Sequence, residues 1–142
     1  SVEAKIKELQ SAGHNTELLM SKLSSHLEYV VTSSFQNEAS PDGKSWSPIE
    51  FRKEDRNPNK ILYDEGTMQD TLQAISDKDS ATVGLNAISN GYPYPVVHQF
   101  GSEDKTIKAR PFMPIDKDGK IYEDTAKELE EIVEDYINEV LK

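Results

Sequence analysis

The chain has no cysteine, which excludes disulfide staples, thiolate metal sites and cysteine nucleophiles together. That is compatible with a reducing cytoplasm. Positive charge is scarce: 16 basic residues face 26 acidic ones, a net charge of −10. Such a surface neutralises phosphates poorly, so nucleic acid is not expected as a primary partner. Anionic membrane surfaces are unsuitable for the same reason. No apolar run approaches the ~18 residues of a membrane span, and no secretory leader is visible, so a soluble chain is expected. Also missing are a glycine-rich phosphate loop, a nucleophile elbow and a His-Glu-x-x-His pair.

What remains is a chain of 142 residues, read as a single domain over 1–142 that buries roughly 70% of its unfolded surface. Residues 2–11 predict a first short helix, with Val2, Ile6 and Leu9 on one face and Gly13 as its stop. A second helix is expected from Asn15 or Thr16, both good caps, with Glu17 in its first turn. Leu19, Leu23, Leu27, Val30, Val31 and Phe35 repeat at three- and four-residue spacing and carry it to about residues 35–38. Residues 39–48 form a loop around Pro41-Asp42-Gly43, where proline presets φ and glycine accepts a positive φ. Trp46, the only tryptophan, sits in that loop. It either folds back to pin the loop on the core or stands out as an anchor for a partner.

Residues 50–60 are polar and turn-prone, expected to be mobile, with Arg52, Lys53 and Arg56 as a small basic island in a solvated loop. Gly66 and the Thr67-x-x-Asp70 pattern resemble a capped helix start, with Met68, Leu72 and Ile75 at helical spacing or running into a strand. Residues 72–76 and 81–85, joined by 77–80, read as a β-hairpin. A last helix is expected over 120–141, entered through Asp118-Gly119. Its apolar side is Ile121, Leu129, Ile132, Val133, Tyr136, Ile137, Val140 and Leu141. Residues 116–142 hold ten acids and four bases, most simply a solvated outer face. The fold class expected is α+β, with N-terminal helices and a long C-terminal helix packed on a small, mostly antiparallel sheet.

Residues 92–115 have the least ordinary order in the chain. Pro95 and Gly101 bracket a very short helix carrying Val96, Val97 and Phe100, which needs packing to be stable. Beyond a polar loop, residues 107–115 contain Pro111 and Pro114, which forbid a central strand and leave an edge strand or an extended arm. Exposed arms recruit other chains. Chemistry is harder to find. Asp116-Lys117-Asp118-Gly119 hints at a calcium loop, but its glycine comes too early and lysine stands at both residues 120 and 127, where ligands are required. His14, His26 and His98 lack a second histidine at ligand spacing. His98 could act as a general base, but no serine or carboxylate is placed to complete a relay. A ring bonded to backbone and packed beside Phe100 is the plainer reading. No catalytic residue, metal, cofactor or small-molecule substrate is expected.

Several fragments in order carry a resemblance. They are F-x-x-E-x-x-P-D-G-x-x-W over 35–46, I-L-x-x-x-G-x-M-x-x-x-L over 61–72, and Val83-Gly84. Then follow Tyr94-x-x-x-His98-Gln99-Phe100-Gly101 and Ala109-Arg110-Pro111-Phe112-Met113. Over about residues 15 to 140 the chain resembles the phage virion morphogenesis family, whose members include the tail-completion protein of P2-type phages and the G protein of phage Mu. It departs at Pro95, where alanine is usual, and at Met68, where leucine is common; the first helix lies outside the match. The resemblance implies a virion structural protein of the neck or head-proximal tail end, made in the host cytoplasm. Such a protein completes or terminates the tail and supports head–tail joining, its partners being copies of itself in a ring and neighbouring tail or neck proteins. Its structural and assembly positions would be Pro41, Asp42, Gly43, Trp46, Gly66, His98, Gln99, Phe100, Gly101, Arg110, Pro111 and Phe112. Arg110 and Phe112 would lie against a neighbouring subunit or lock the arm onto their own. The alternatives are a small acidic inhibitory module acting through the last helix, and a hydrolase relying on His98.

Overall fold

The computed structural model describes residues 1–47, 67–85, 94–103 and 108–140. The elements in order are α1 (Val2–Ser11), α2 (Glu17–Asn37), α3 (Thr67–Asp70), β1 (Gln73–Ser76), β2 (Ala81–Gly84), α4 (Tyr94–Phe100) and α5 (Glu123–Val140). This is an α+β arrangement of helices with a two-stranded antiparallel sheet among the described residues.

The central element is α2. At its start, the Asn15 side chain accepts the Glu17 N–H at 2.9 Å, which satisfies one of the free donors of the first turn. The Thr16 hydroxyl is used differently: it donates to the Lys78 carbonyl and ties the helix start to the hairpin turn. The apolar stripe then serves two cores in succession. Leu19, Met20 and Leu23 pack with Leu9 of α1 and with Leu129, Val133 and Tyr136 of α5. Val31 and Phe35, farther along, pack with Trp46 and Phe112. Each such buried side chain contributes roughly 1.5–3 kcal/mol, so α2 is the rod on which both clusters are threaded.

The hairpin lies along α2. Its register pairs Ala74 with Val83 and Ser76 with Ala81, and these residues face inward while Gln73, Ile75 and Thr82 face out. Ala81 packs on the first cluster and Leu72, Val83 and Leu85 on the second. A two-stranded hairpin is marginal alone; spanning both clusters stabilises it. At its tip the Asp77 carboxylate accepts the N–H groups of Asp79 and Ser80, each at 2.8 Å. Those bonds hold its carboxyl below the usual range.

Several boundaries differ from expectation, each for a visible reason. α5 begins at Glu123 rather than residue 120, because Asp116 accepts the N–H groups of Asp118 and Lys120 and shapes a turn first. Ile121 pairs with Ile115 in an isolated antiparallel bridge and is 40% exposed, so it is not part of the helix's apolar side. α5 itself packs on α1 and α2, and it is α2 that carries the hairpin. α3 is a single turn, and Ile75 belongs to β1. The expectations for residues 50–60, for Ile61, Leu62 and Gly66, and for the connection 86–91 lie outside the described residues.

Candidate functional site

The C-terminal end of α2 starts the site. Glu38 takes a left-handed conformation, φ 51°, which turns the chain back on itself. Ala39 then bridges Ser45, and the Trp46 N–H donates to the Glu38 carbonyl at 2.8 Å. At the tip, Gly43 sits at φ +91° and donates its N–H to the Ser40 carbonyl. Burial alone would raise the Asp42 carboxyl. Bonds from the Ser40 hydroxyl and the Lys44 N–H outweigh it and hold that carboxyl below the usual range. The Pro41-Asp42-Gly43 turn thus exists to return Trp46 to the core.

Trp46 meets Phe35 edge to face, ring centres 5.9 Å apart, and its indole N–H donates to the Pro111 carbonyl at 2.7 Å. Phe112 stacks on Phe35 with ring centres 5.2 Å apart and is 2% exposed. The described part of the proline-bearing arm, residues 108–115, therefore lies on its own core. Of the two placements expected for Phe112, against a neighbour or on its own subunit, the single chain shows the second: two prolines keep the backbone extended, and an aromatic between them finds an apolar slot at home. Nor is the arm an edge strand; its ladder contact among the described residues is the bridge at Ile115.

α4 supplies the clamp. Val96, expected to pack, is 57% exposed, while Gln99 is buried, 3% exposed. Its carboxamide oxygen accepts the N–H groups of Phe112 and Met113, both at 2.9 Å. Its nitrogen donates to the carbonyls of Met113 at 3.0 Å and Ile115 at 3.3 Å. One side chain thereby replaces the strand partner that Pro111 and Pro114 prevent. The backbone closes the same contact, the Arg110 N–H donating to the His98 carbonyl at 2.7 Å. The Arg110 Nε donates to the Ser47 carbonyl at 2.9 Å, joining the arm to the Trp46 loop. His98 is half-buried; burial first, then the Arg110 charge, pushes its imidazole below the ordinary value. Gly101, φ 81°, ends the helix.

Of the residues singled out in the sequence, those of the 41–46 turn, α4 and the 109–113 run meet here, and Gly66 lies outside the described residues. Phe35 was visible as a stripe residue but not as the ring shared by Trp46 and Phe112. The role of Gln99 was also missed. An amide between two aromatic neighbours in a helix too short to stand alone was its only signal. The aromatic, amide and guanidinium groups that meet here fix backbone positions. Among the described residues no three His, Asp or Glu side chains gather as a metal ligand set. On α5, Glu134 pairs with Lys5, Glu139 with Lys22, Glu128 with His26 and Glu123 with Lys127. That helix's acids are partly engaged with their own chain.

Three motif fragments distant in sequence thus converge on one clasp, and the comparison with family models agrees with them: the phage virion morphogenesis model matches residues 1–141. The chain belongs to that family. The match takes in α1, which the motifs had left outside. No curated protein and no solved structure matches significantly. Membership makes this a protein of phage virion morphogenesis, one that acts alongside other virion proteins. Among the described residues no helix is long and apolar enough to cross a membrane. In this family member the P-D-G-x-x-W, H-Q-F-G and A-R-P-F-M runs are the parts of one intramolecular lock.

Proposed function

We propose that this chain is a non-catalytic structural protein of the phage neck or head-proximal tail end, one that completes the tail and supports head–tail joining. It acts as a ring of copies. The observation that carries this reading is the family match over residues 1–141. The clasp supports it, because the most distinctive side chains, Trp46, Gln99, Arg110 and Phe112, all fix backbone positions. A ring subunit needs that rigidity, since small angular errors accumulate around a closed assembly.

The test is assembly without the chain. Particles made in its absence should show heads and tails that fail to join, or tails lacking a finished end, and the purified protein added back should restore joined particles. Normal yields of joined, infectious particles in its absence would overturn the reading.

A further inference from the structure

The ring reading leaves open which surfaces meet, and among the described residues two apolar features stand open on opposite sides of α2. The first is a groove of about 420 Å³ lined by α1, α2, the hairpin turn and Leu129 of α5. Ile6, Met20, Leu23, Leu27, Leu129 and Ile121 line it, and Glu3, Lys7 and Asp79 stand on its rim. α1 packs on α5, and α2 packs on α5, so the space between them opens onto the first core cluster.

The second feature is a ridge. Leu18 and Tyr29 are 59% and 66% exposed. They lie about three helical turns apart on one line along α2, roughly 16 Å end to end. Lys22 and Ser25, also exposed, lie between them. At about 100° per residue this line falls on the side of α2 away from Met20, Leu23 and Leu27.

We propose that the Leu18–Tyr29 ridge of one copy seats in the α1–α2 groove of the next. The proposal rests on the ring reading and names its contact. A knob and a socket at different places on one chain make a head-to-tail interface, the kind that generates rings rather than two-fold dimers. The charges agree: Lys22, between the knobs, meets a rim bearing Glu3 and Asp79, and Glu17 and Glu28 beside the ridge suit Lys7. The Lys22–Glu139 pair within one chain is long, 3.8 Å, and exposed, so it competes weakly. Apolar filling supplies the affinity and the charges set the register. One such contact is small, so assembly depends on concentration.

Two variants test this by light scattering: a ridge variant, Leu18→Glu with Tyr29→Glu, and a groove variant, Ile121→Glu, whose like charges keep the altered ridge and altered groove apart. All three positions are substantially exposed, and circular dichroism should show both variants folded. Each alone should be monomeric where the unmodified chain assembles, with association weakened at least tenfold. Mixed one to one, they should form a heterodimer, because one intact ridge and one intact groove remain. If either variant assembles like the unmodified chain, this contact is wrong while the ring reading stands. A mixture that stays monomeric overturns the head-to-tail pairing. An unmodified chain that stays monomeric at every concentration overturns contact and ring together. Should a charge variant fail to fold, disulfide trapping decides the matter, since the chain has no cysteine of its own. Tyr29→Cys mixed with Ile121→Cys should cross-link between copies, and Tyr29→Cys alone should not; cross-linking of Tyr29→Cys to itself instead overturns the proposal.

Discussion

With two N–H groups and two carbonyls of one short run bonded to a single carboxamide, Gln99 stands where a neighbouring strand would be in a sheet. Removing it leaves the buried N–H of Phe112 and the half-buried N–H of Met113 without their acceptor, and a fully buried orphan costs about 1–3 kcal/mol. Gln99→Ala should therefore destabilise the fold by about 2–4 kcal/mol in urea titrations, far more than a substitution at exposed Val96 on the same helix. His98 carries a pH dependence whose sign follows from its surroundings. Burial, then the Arg110 charge, holds the folded imidazole below its ordinary value, so the unfolded chain takes up a proton more readily. Stability is then fully present above about pH 6.5, the unfolded value, and falls as pH drops toward the lower folded value. The depressed Asp42 carboxyl acts lower: its contribution is present above about pH 3.9 and lost below it. Urea midpoints between pH 5.0 and 7.5 should accordingly differ less for His98→Asn than for the unmodified chain.

At the scale of elements, the arm depends on Phe112 as much as on its hydrogen bonds. Phe112→Ala opens a cavity beside Phe35 and should cost about 3–5 kcal/mol. Combining it with Phe35→Ala should cost less than the sum, because the two rings lose the same contact. Hydrogen exchange should quicken first at the Phe112 and Met113 amides. The same elements show what was legible beforehand. α1 and α2 declared themselves through 3.6-residue periodicity, and the hairpin through two short runs around Asp77–Ser80; these are local signals. The fate of the 108–115 arm was not legible, because prolines announce only what a segment cannot do. Its anchor is an amide on α4 whose partners lie thirteen to sixteen residues away. Ile121 misled in a similar way: its spacing suits α5, but the Asp116 turn captures it first. For the site, the fragments were legible by type and spacing, while their convergence on Phe35 depends on tertiary packing.

For the molecule as a whole, a net charge of −10 means that copies repel one another before any contact forms. At low ionic strength the Debye length is about 30 Å, against about 8 Å at physiological salt, so the repulsion spans much of a subunit. Self-association should strengthen between roughly 0.01 and 0.15 M salt, as read by sedimentation velocity; weakening over that range would mean that ion pairs lead the interface. The position of Trp46 has a practical consequence. Being the chain's sole indole, buried beside Phe35 and hydrogen-bonded to Pro111, it is an intrinsic optical gauge of whether the arm is seated. A red shift in its emission would mark release of the arm, in free subunits and in assembled preparations alike, with no dye attached.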